Sequence, residues 1–290
     1  MEFKNENQLK AFLKNESKRL DISIPHVYST YFSRELLERL ASRNYGKFIV
    51  KGSFSQYVHM RKLVRPVTDI DLASADSYSE SLEPLFNNIN DDSSPIKFKL
   101  NNIKTTRTGI KKLRISAEAF NKLNQPINID FDGQNTRVYE VNYKQVVPIF
   151  KDDNMFFINT PSFEEHIAEK LCIVAESNKP DVLNTRVKDF YDLYEMHGGL
   201  YDRDKFELYF ERMLKDRGKI KLCDLTTVFL NKSYVERHQA LWDSMKGKDK
   251  YEFLDNDIDF DEAVFYTRAI LSEEIQKIRE HSIEKTLIMK

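Results

Sequence analysis

Two cysteines, Cys172 and Cys223, are the whole thiol content of the 290-residue chain. They stand in no metal-ligand spacing and make no disulfide framework. That excludes a cysteine zinc site and points to a reducing compartment, with both side chains as small core residues. Long apolar runs are missing too. The N-terminal MEFKNENQLK has no apolar signal core, and no stretch approaches the roughly 20 apolar residues of a membrane span, so the expectation is a soluble, cytoplasmic protein. Neither GxxxxGK(S/T) nor GxGxxG occurs, which leaves P-loop and Rossmann nucleotide sites unsupported. The six histidines lack paired helical or hairpin spacing, so His59 and His166 read as structural residues. Net charge is nearly absent as well: 45 basic against 46 acidic residues leave a formal −1. Bulk charge therefore selects no partner, and any site for a polyanion has to be a local patch.

What is present is enough hydrophobic content, 41%, for one large core or two moderate ones, and the length favours two domains. No internal repeat or low-complexity tract stands out. Asn7 to Leu20 and Pro25 to Arg43 read as amphipathic helices, the second with Val27, Tyr31, Leu36, Leu37 and Leu40 at near-helical spacing. Lys47 to Val50 is a short β-favouring run halted by Gly52-Ser53, after which Ser55 to Leu63 resumes a helix. Further strands are expected at Asp69 to Leu72, Ile96 to Ile103, Leu113 to Ala117 and Ile127 to Phe131, with a helix at Leu82 to Ile89. From about Ser162 the pattern turns helical: Phe163 to Val174, Thr185 to Met196, Lys205 to Leu214, Leu222 to Leu230, Tyr234 to Met245 and Phe260 to Arg279. The boundary falls between Phe150 and Pro161, giving domains of residues 1–155 and 156–290.

In Val67-Thr68-Asp69-Ile70-Asp71-Leu72 the period of a strand puts both carboxylates on one face, with Ile70 and Leu72 on the other. Ile127-Asn128-Ile129-Asp130-Phe131-Asp132 repeats the arrangement. A neighbouring strand of this kind could supply a third carboxylate. Three clustered oxygen ligands suit Mg²⁺ shared with substrate phosphates, as two-metal phosphoryl transfer requires. A D-x-D pair alone is weak, since it also describes the polar face of an edge strand. Asp255, Asp257, Asp259 and Asp261 alternate too, yet precede a helical run without an upstream glycine turn, where they serve loop solvation and helix N-terminal charge. That segment also lacks the central glycine and spaced glutamate of an EF-hand. What separates Asp69 and Asp71 from it is Gly52-Ser53 between a strand and a helix. Glycine there lets the backbone approach a phosphate, and the helix N-terminus offers free N–H groups.

These parts together resemble the AbiEii/AbiGii-type toxin nucleotidyltransferases, a branch of the polymerase-β-like superfamily. The resemblance is carried by Phe48-Ile49-Val50-Lys51-Gly52-Ser53, by Arg65-x-x-Thr68-Asp69-Ile70-Asp71 and by Ile129-Asp130-Phe131. A last tract runs from Glu169-Lys170-Leu171 to Arg186-Val187-Lys188-Asp189-Phe190-Tyr191-Asp192-Leu193. It extends to about Gly199, beyond which only helical texture matches. Ser53 stands where many relatives have a second glycine. The spacing from Asp130 to Gly133 is one residue short, which leaves Asp130 and Asp132 both as candidates for the third ligand.

Ser162-Phe163-Glu164-Glu165 reads as a capping box, followed by an apolar stripe of Phe163, Ile167, Leu171 and Val174. Lys170 falls on or beside that stripe, where its stem covers the core or its ammonium meets an anion. The resemblance assigns it to the triphosphate. Lys188 with Asp192 and Arg186 with Asp189 have the spacing of ordinary surface pairs; the resemblance alone nominates Asp189, and then Asp192, for positioning Lys170 or the substrate. Between Ser93 and Ala117 stand Lys97, Lys99, Lys104, Arg107, Lys111, Lys112 and Arg114 with no acidic residue. On two paired strands they form either a ridge that grips an RNA backbone or solvated strand edges that resist edge pairing.

The expected architecture is α/β: a small mixed-sheet nucleotidyltransferase core with N-terminal helices and a C-terminal helical domain. The resemblance implies a metal-dependent nucleotidyltransferase using Mg²⁺ or Mn²⁺ at Asp69, Asp71 and Asp130. Gly52 and Ser53 cradle the triphosphate, and Lys170 and Arg65 neutralise it. It further implies NTP as donor, an RNA acceptor such as a tRNA 3′ end, and a toxin of a toxin–antitoxin or phage abortive-infection system with a co-encoded antitoxin. The alternatives are transfer to a protein or a small molecule such as an aminoglycoside, and a catalytically silent relative that binds nucleotide or RNA.

Overall fold

A computed structural model of the chain describes residues 3–43, 46–74, 82, 86, 88–90, 93–133, 138–176, 186–218, 232–246, 248, 251–254 and 257–271. They fall into two compact units, Met1–Ser162 and Phe163–Lys290.

The first unit opens with α1 (Glu6–Leu20), whose Asn5 side chain accepts a hydrogen bond from the Gln8 N–H at 3.1 Å and satisfies one orphan donor of the first turn. Asp21, in the left-handed region, ends it. The second helix, α2 (Ile24–Arg43), buries Val27, Phe32, Leu36, Leu37 and Leu40. Each such side chain contributes about 1.5–3 kcal/mol on leaving water. Arg34 of the same helix is buried as well. Its guanidinium bonds Glu38 at 2.7 Å, Glu35 at 3.0 Å and the Asn154 carbonyl at 2.6 Å. Asp153 lies 2.8 Å from Nε as an ion pair, without the alignment of a hydrogen bond.

Against α2 lies a mixed, seven-stranded sheet in the order β3-β4-β5-β2-β1-β7-β6. Its strands are β1 (Phe48–Lys51), β2 (Asp69–Ser74), β3 (Ile96–Thr105), β4 (Lys111–Ala119), β5 (Leu123–Asp132), β6 (Val141–Val146) and β7 (Phe156–Pro161). β2 runs parallel to β5 and β7 parallel to β1; the other neighbours are antiparallel. The apolar residues of β1, β2, β4 and β5 share one core with α1 and α2.

The sequence pattern misses β6 and β7. β6 is an edge strand exposed along most of its length, so burial imposes little alternation on it, and β7 is recruited to β1 from more than a hundred residues away. The helix expected from Ser55 starts three residues earlier, at Gly52 itself: α3 spans Gly52–Met60. Half of the helix expected at Leu82 to Ile89, residues 83–85 and 87, lies outside the described residues. Leu222 to Leu230 with Cys223, Thr185, and the part of Phe260 to Arg279 beyond residue 271 lie outside them entirely.

The second unit contains α4 (Phe163–Glu176), α5 (Val187–His197), α6 (Arg203–Arg217), α7 (Lys232–Met245) and a helical run over residues 260–271. Its core gathers Phe190, Tyr234, Trp242 and Phe260, and the Trp242 indole donates to the Ile258 carbonyl at 3.0 Å. Among the described residues, no helix is long and apolar enough to cross a membrane.

Candidate active site

The two-residue period of β2 sends Ile70 and Leu72 into the core and leaves Asp69 exposed and Asp71 half-buried on the other face. α2 fixes where this strand begins. The Ser29 hydroxyl donates to the Val67 carbonyl at 2.8 Å, and the Val67 N–H donates to Thr30 Oγ1 at 3.1 Å, so both polar groups of the residue two positions before Asp69 are held by one helix.

β5 lies beside β2 in a register that pairs Asp69 with Asn128, Asp71 with Asp130, and Ala73 with Asp132. Partners in adjacent strands share a face and lie about 4.8 Å apart. Asp130 is therefore the direct neighbour of Asp71, while Asp132 is one row further along, beside an alanine. Asp69, Asp71 and Asp130 occupy three corners of a two-by-two block, with Asn128 at the fourth.

On the other side of β2, Asp71 pairs with Lys51 of β1, the residue before Gly52. Gly52 has φ +63, in the left-handed region that favours glycine, and a Cβ there would lie 1.9 Å from Asp71 Oδ2. The glycine thus serves two demands at once, the sharp step from strand to helix and the contact with a candidate carboxylate. Lys51, at the N-cap, makes no side-chain capping bond, so the first-turn N–H groups of α3 have no side-chain cap there. Ser53 is buried in that first turn, and Arg65 is half-buried in the connection between α3 and β2.

Sequence spacing assigns Lys112 of β4 only to the basic stretch; the structure puts it beside Asp130, with Nζ 3.3 Å from Oδ2. Their side chains are 59% and 42% exposed, so solvent screens the pair and it exchanges readily. The donor set fits a hard divalent cation: three carboxylates on adjacent rows, one of them already attracting a positive charge. Among the described residues, no group of three His, Cys, Asp or Glu side chains is already gathered around a metal position, so closing on an ion requires the carboxylates to rotate. The contrasting aspartates behave differently. Asp257, Asp259 and Asp261 are exposed around the start of the run at 260–271, and Asp255 lies outside the described residues.

In the second unit, Lys170 of α4 is buried and donates to Asp189 Oδ1 at 2.7 Å and to Asp192 Oδ2 at 2.6 Å, both on α5. Those two carboxylates are 2% and 0% exposed, so they are no ordinary surface pairs with Arg186 and Lys188. Helical spacing shows which positions share a face, not whether that face is covered. The second oxygen of Asp189 has no hydrogen-bond partner among the described residues; Arg186 lies 3.9 Å away. Nearby on α4, burial pushes the Cys172 thiol up to about 12, which makes it an inert core residue. His59 bonds Thr160 Oγ1 and the Pro161 carbonyl, both at 2.9 Å, in a structural role.

Comparison with known proteins gives a consistent result. A family model described as nucleotidyl transferase AbiEii toxin, type IV TA system, matches residues 35–265, well over half of the chain. A solved structure, MenT4, a nucleotidyltransferase toxin from Mycobacterium tuberculosis H37Rv, is similar in fold. The TM-score is 0.55 at 12% sequence identity, covering 90% of this chain and 87% of that one. No curated protein matches by sequence.

Proposed function

The chain belongs to the AbiEii nucleotidyl transferase toxin family of type IV toxin–antitoxin systems, and from that premise we propose that it is a metal-dependent enzyme moving a nucleoside monophosphate from an NTP to RNA. The single observation that carries the metal-dependent chemistry is the block in which Asp71 lies between Asp130 on one side and the Gly52 turn on the other. Asp69, Asp71 and Asp130 would hold Mg²⁺ or Mn²⁺, which supplies charge neutralisation at the reacting phosphate when bound.

The residues of the chain do the rest. The N–H groups of Gly52, Ser53 and the first turn of α3 point partial positive charge at the triphosphate. Asp130, beside Asp71 and open to solvent, is placed to accept the proton of an incoming hydroxyl. For Lys170, buried in the second unit with its ammonium held by Asp189 and Asp192, a part in nucleotide binding rests on the family reading alone. Arg65 adds a second positive charge. RNA is favoured over a protein or small-molecule acceptor because the face carrying the carboxylates continues into basic residues of β4 and β3. An antitoxin encoded with the chain and a cytoplasmic site of action follow from the same family reading.

The test is incubation with total tRNA, a divalent metal and each labelled NTP in turn, beside the Asp69→Asn variant. Label on RNA that is lost in the variant supports the proposal. Label on protein or drug, or none with NTP still bound, refutes the RNA acceptor.

A further inference from the structure

The pairing registers align residues of four strands into rows on one exposed sheet face. One row runs Asp71, Asp130, Lys112, Lys104 across β2, β5, β4 and β3; the next runs Asp69, Asn128, Arg114, Asn102. Beyond it, Ser116 pairs with Lys99. The candidate metal carboxylates thus give way, strand by strand, to positive charge. Neighbouring strands lie about 4.8 Å apart, so Lys104 is rooted about 10 Å from Asp130.

A β-bulge makes this arrangement. Between Leu100 and Asn102 the β3 register shifts by one residue, leaving Asn101 as the extra position, and its side chain donates to Ser116 Oγ at 2.5 Å. In an uninterrupted strand Lys99 and Lys104, five apart, would point to opposite faces. The bulge puts both beside Arg114 and Lys112, while Leu100 and Ile103 remain opposite Ile115 and Leu113 on the core side. Lys111 pairs with Phe131, on the opposite face from Lys112, and Arg107 lies in the hairpin turn. Lys99, Lys104 and Arg114 are exposed, and none forms an ion pair with a described carboxylate. Lys97 sits opposite Glu118, which ends the positive strip.

We propose that this strip, Lys112, Lys104, Arg114 and Lys99 with Asn102 and Asn128 between them, is the track on which the phosphodiester backbone of the RNA acceptor lies as its end reaches the carboxylates. The proposal rests on the RNA-acceptor reading above. Cations in rows suit repeating phosphates, three of them (Lys99, Lys104 and Arg114) without an ion-pair partner among the described residues and Lys112 held only by a solvent-screened pair with Asp130, and the neutral asparagines offer hydrogen bonds to sugar or base edges without sequence-reading charge. The acceptor crosses the strands from β3 towards β2, which leaves the Gly52 side of Asp71 for the NTP.

The test compares Lys104→Gln/Arg114→Gln with a control that removes the same charge elsewhere in the unit, Lys14→Gln/Lys18→Gln on α1. Transfer kinetics and RNA affinity are measured against KCl concentration. The track variant is expected to raise KM for RNA roughly tenfold at physiological salt, with kcat within about twofold and KM for NTP unchanged. Its log–log salt slope should fall by about 1.4, or 0.7 for each lost single-strand phosphate contact. Lys104→Arg/Arg114→Lys should restore the wild-type values. If wild type labels RNA while the track variant matches the control, the track is overturned and the reaction stands. If wild type labels no RNA, or labels a protein acceptor instead, the track falls together with the RNA reading.

Discussion

Gly52→Ala is the substitution that best tests whether the strand-to-helix turn and the carboxylates form one site. The backbone there has φ +63, which costs an L-residue about 1–2 kcal/mol. The added methyl would also lie 1.9 Å from Asp71 Oδ2 and 2.9 Å from Cγ. The carboxylate is the end of a side chain and can turn away, at about 0.5–1.5 kcal/mol for an unfavourable rotamer. Together these give a destabilisation of about 2 kcal/mol, and a turned Asp71 no longer lies beside Asp130. A misplacement of that size costs about 100-fold in kcat. The two contributions separate in an Asp71→Ala background, where the backbone cost of about 1–2 kcal/mol should remain and the rotamer cost should vanish. Amide hydrogen exchange over residues 48–58 and 69–74 is the appropriate stability measurement, because the one tryptophan, Trp242, sits in the other unit. An equal cost of Gly52→Ala in both backgrounds, or near-normal transfer by the single variant, would refute the reasoning.

Three further outcomes are expected. Lys170→Met leaves two buried carboxylates without their cation and should destabilise the second unit by about 3–5 kcal/mol in urea unfolding followed by Trp242 fluorescence. Adding Asp189→Asn and Asp192→Asn should recover most of that stability but no transfer activity; recovered activity would remove Lys170 from the mechanism. Burial, only partly offset by Arg34, raises the Glu35 and Asp153 carboxyls above their ordinary range. The folded state therefore binds these protons more tightly than the unfolded chain does. The stability they contribute is complete below the ordinary carboxylate values and is lost as pH rises through the raised ones. Hydrogen exchange over α2 should accordingly report greater stability on moving from neutral to mildly acidic pH, and Glu35→Gln should shrink that gain. In a Cys223→Ser background, Cys172, with its thiol pushed up to about 12, should react with a thiol reagent only after unfolding; fast labelling of the native protein would contradict its burial.

The alternation around Asp69 and Asp71, the glycine turn ahead of them and the later Asp130 segment were legible in the sequence, because each is a local pattern whose period follows from backbone geometry. So were those helices of both units that fall on described residues, apart from their ends, whereas β6 and β7 were not, because burial or distance obscures their patterns. Sequence left open which strand lies beside which. Tertiary structure decided that by placing β5 parallel to β2, which makes Asp130 rather than Asp132 the neighbour of Asp71. It also decided that Asp189 and Asp192 are buried around Lys170, and that a single bulged residue, Asn101, puts Lys99 and Lys104 on the face of the carboxylates. The physical reason is common to all three: chain periodicity specifies which side chains share a face, but a face acquires a chemical role only when packing chooses its neighbours and its access to water.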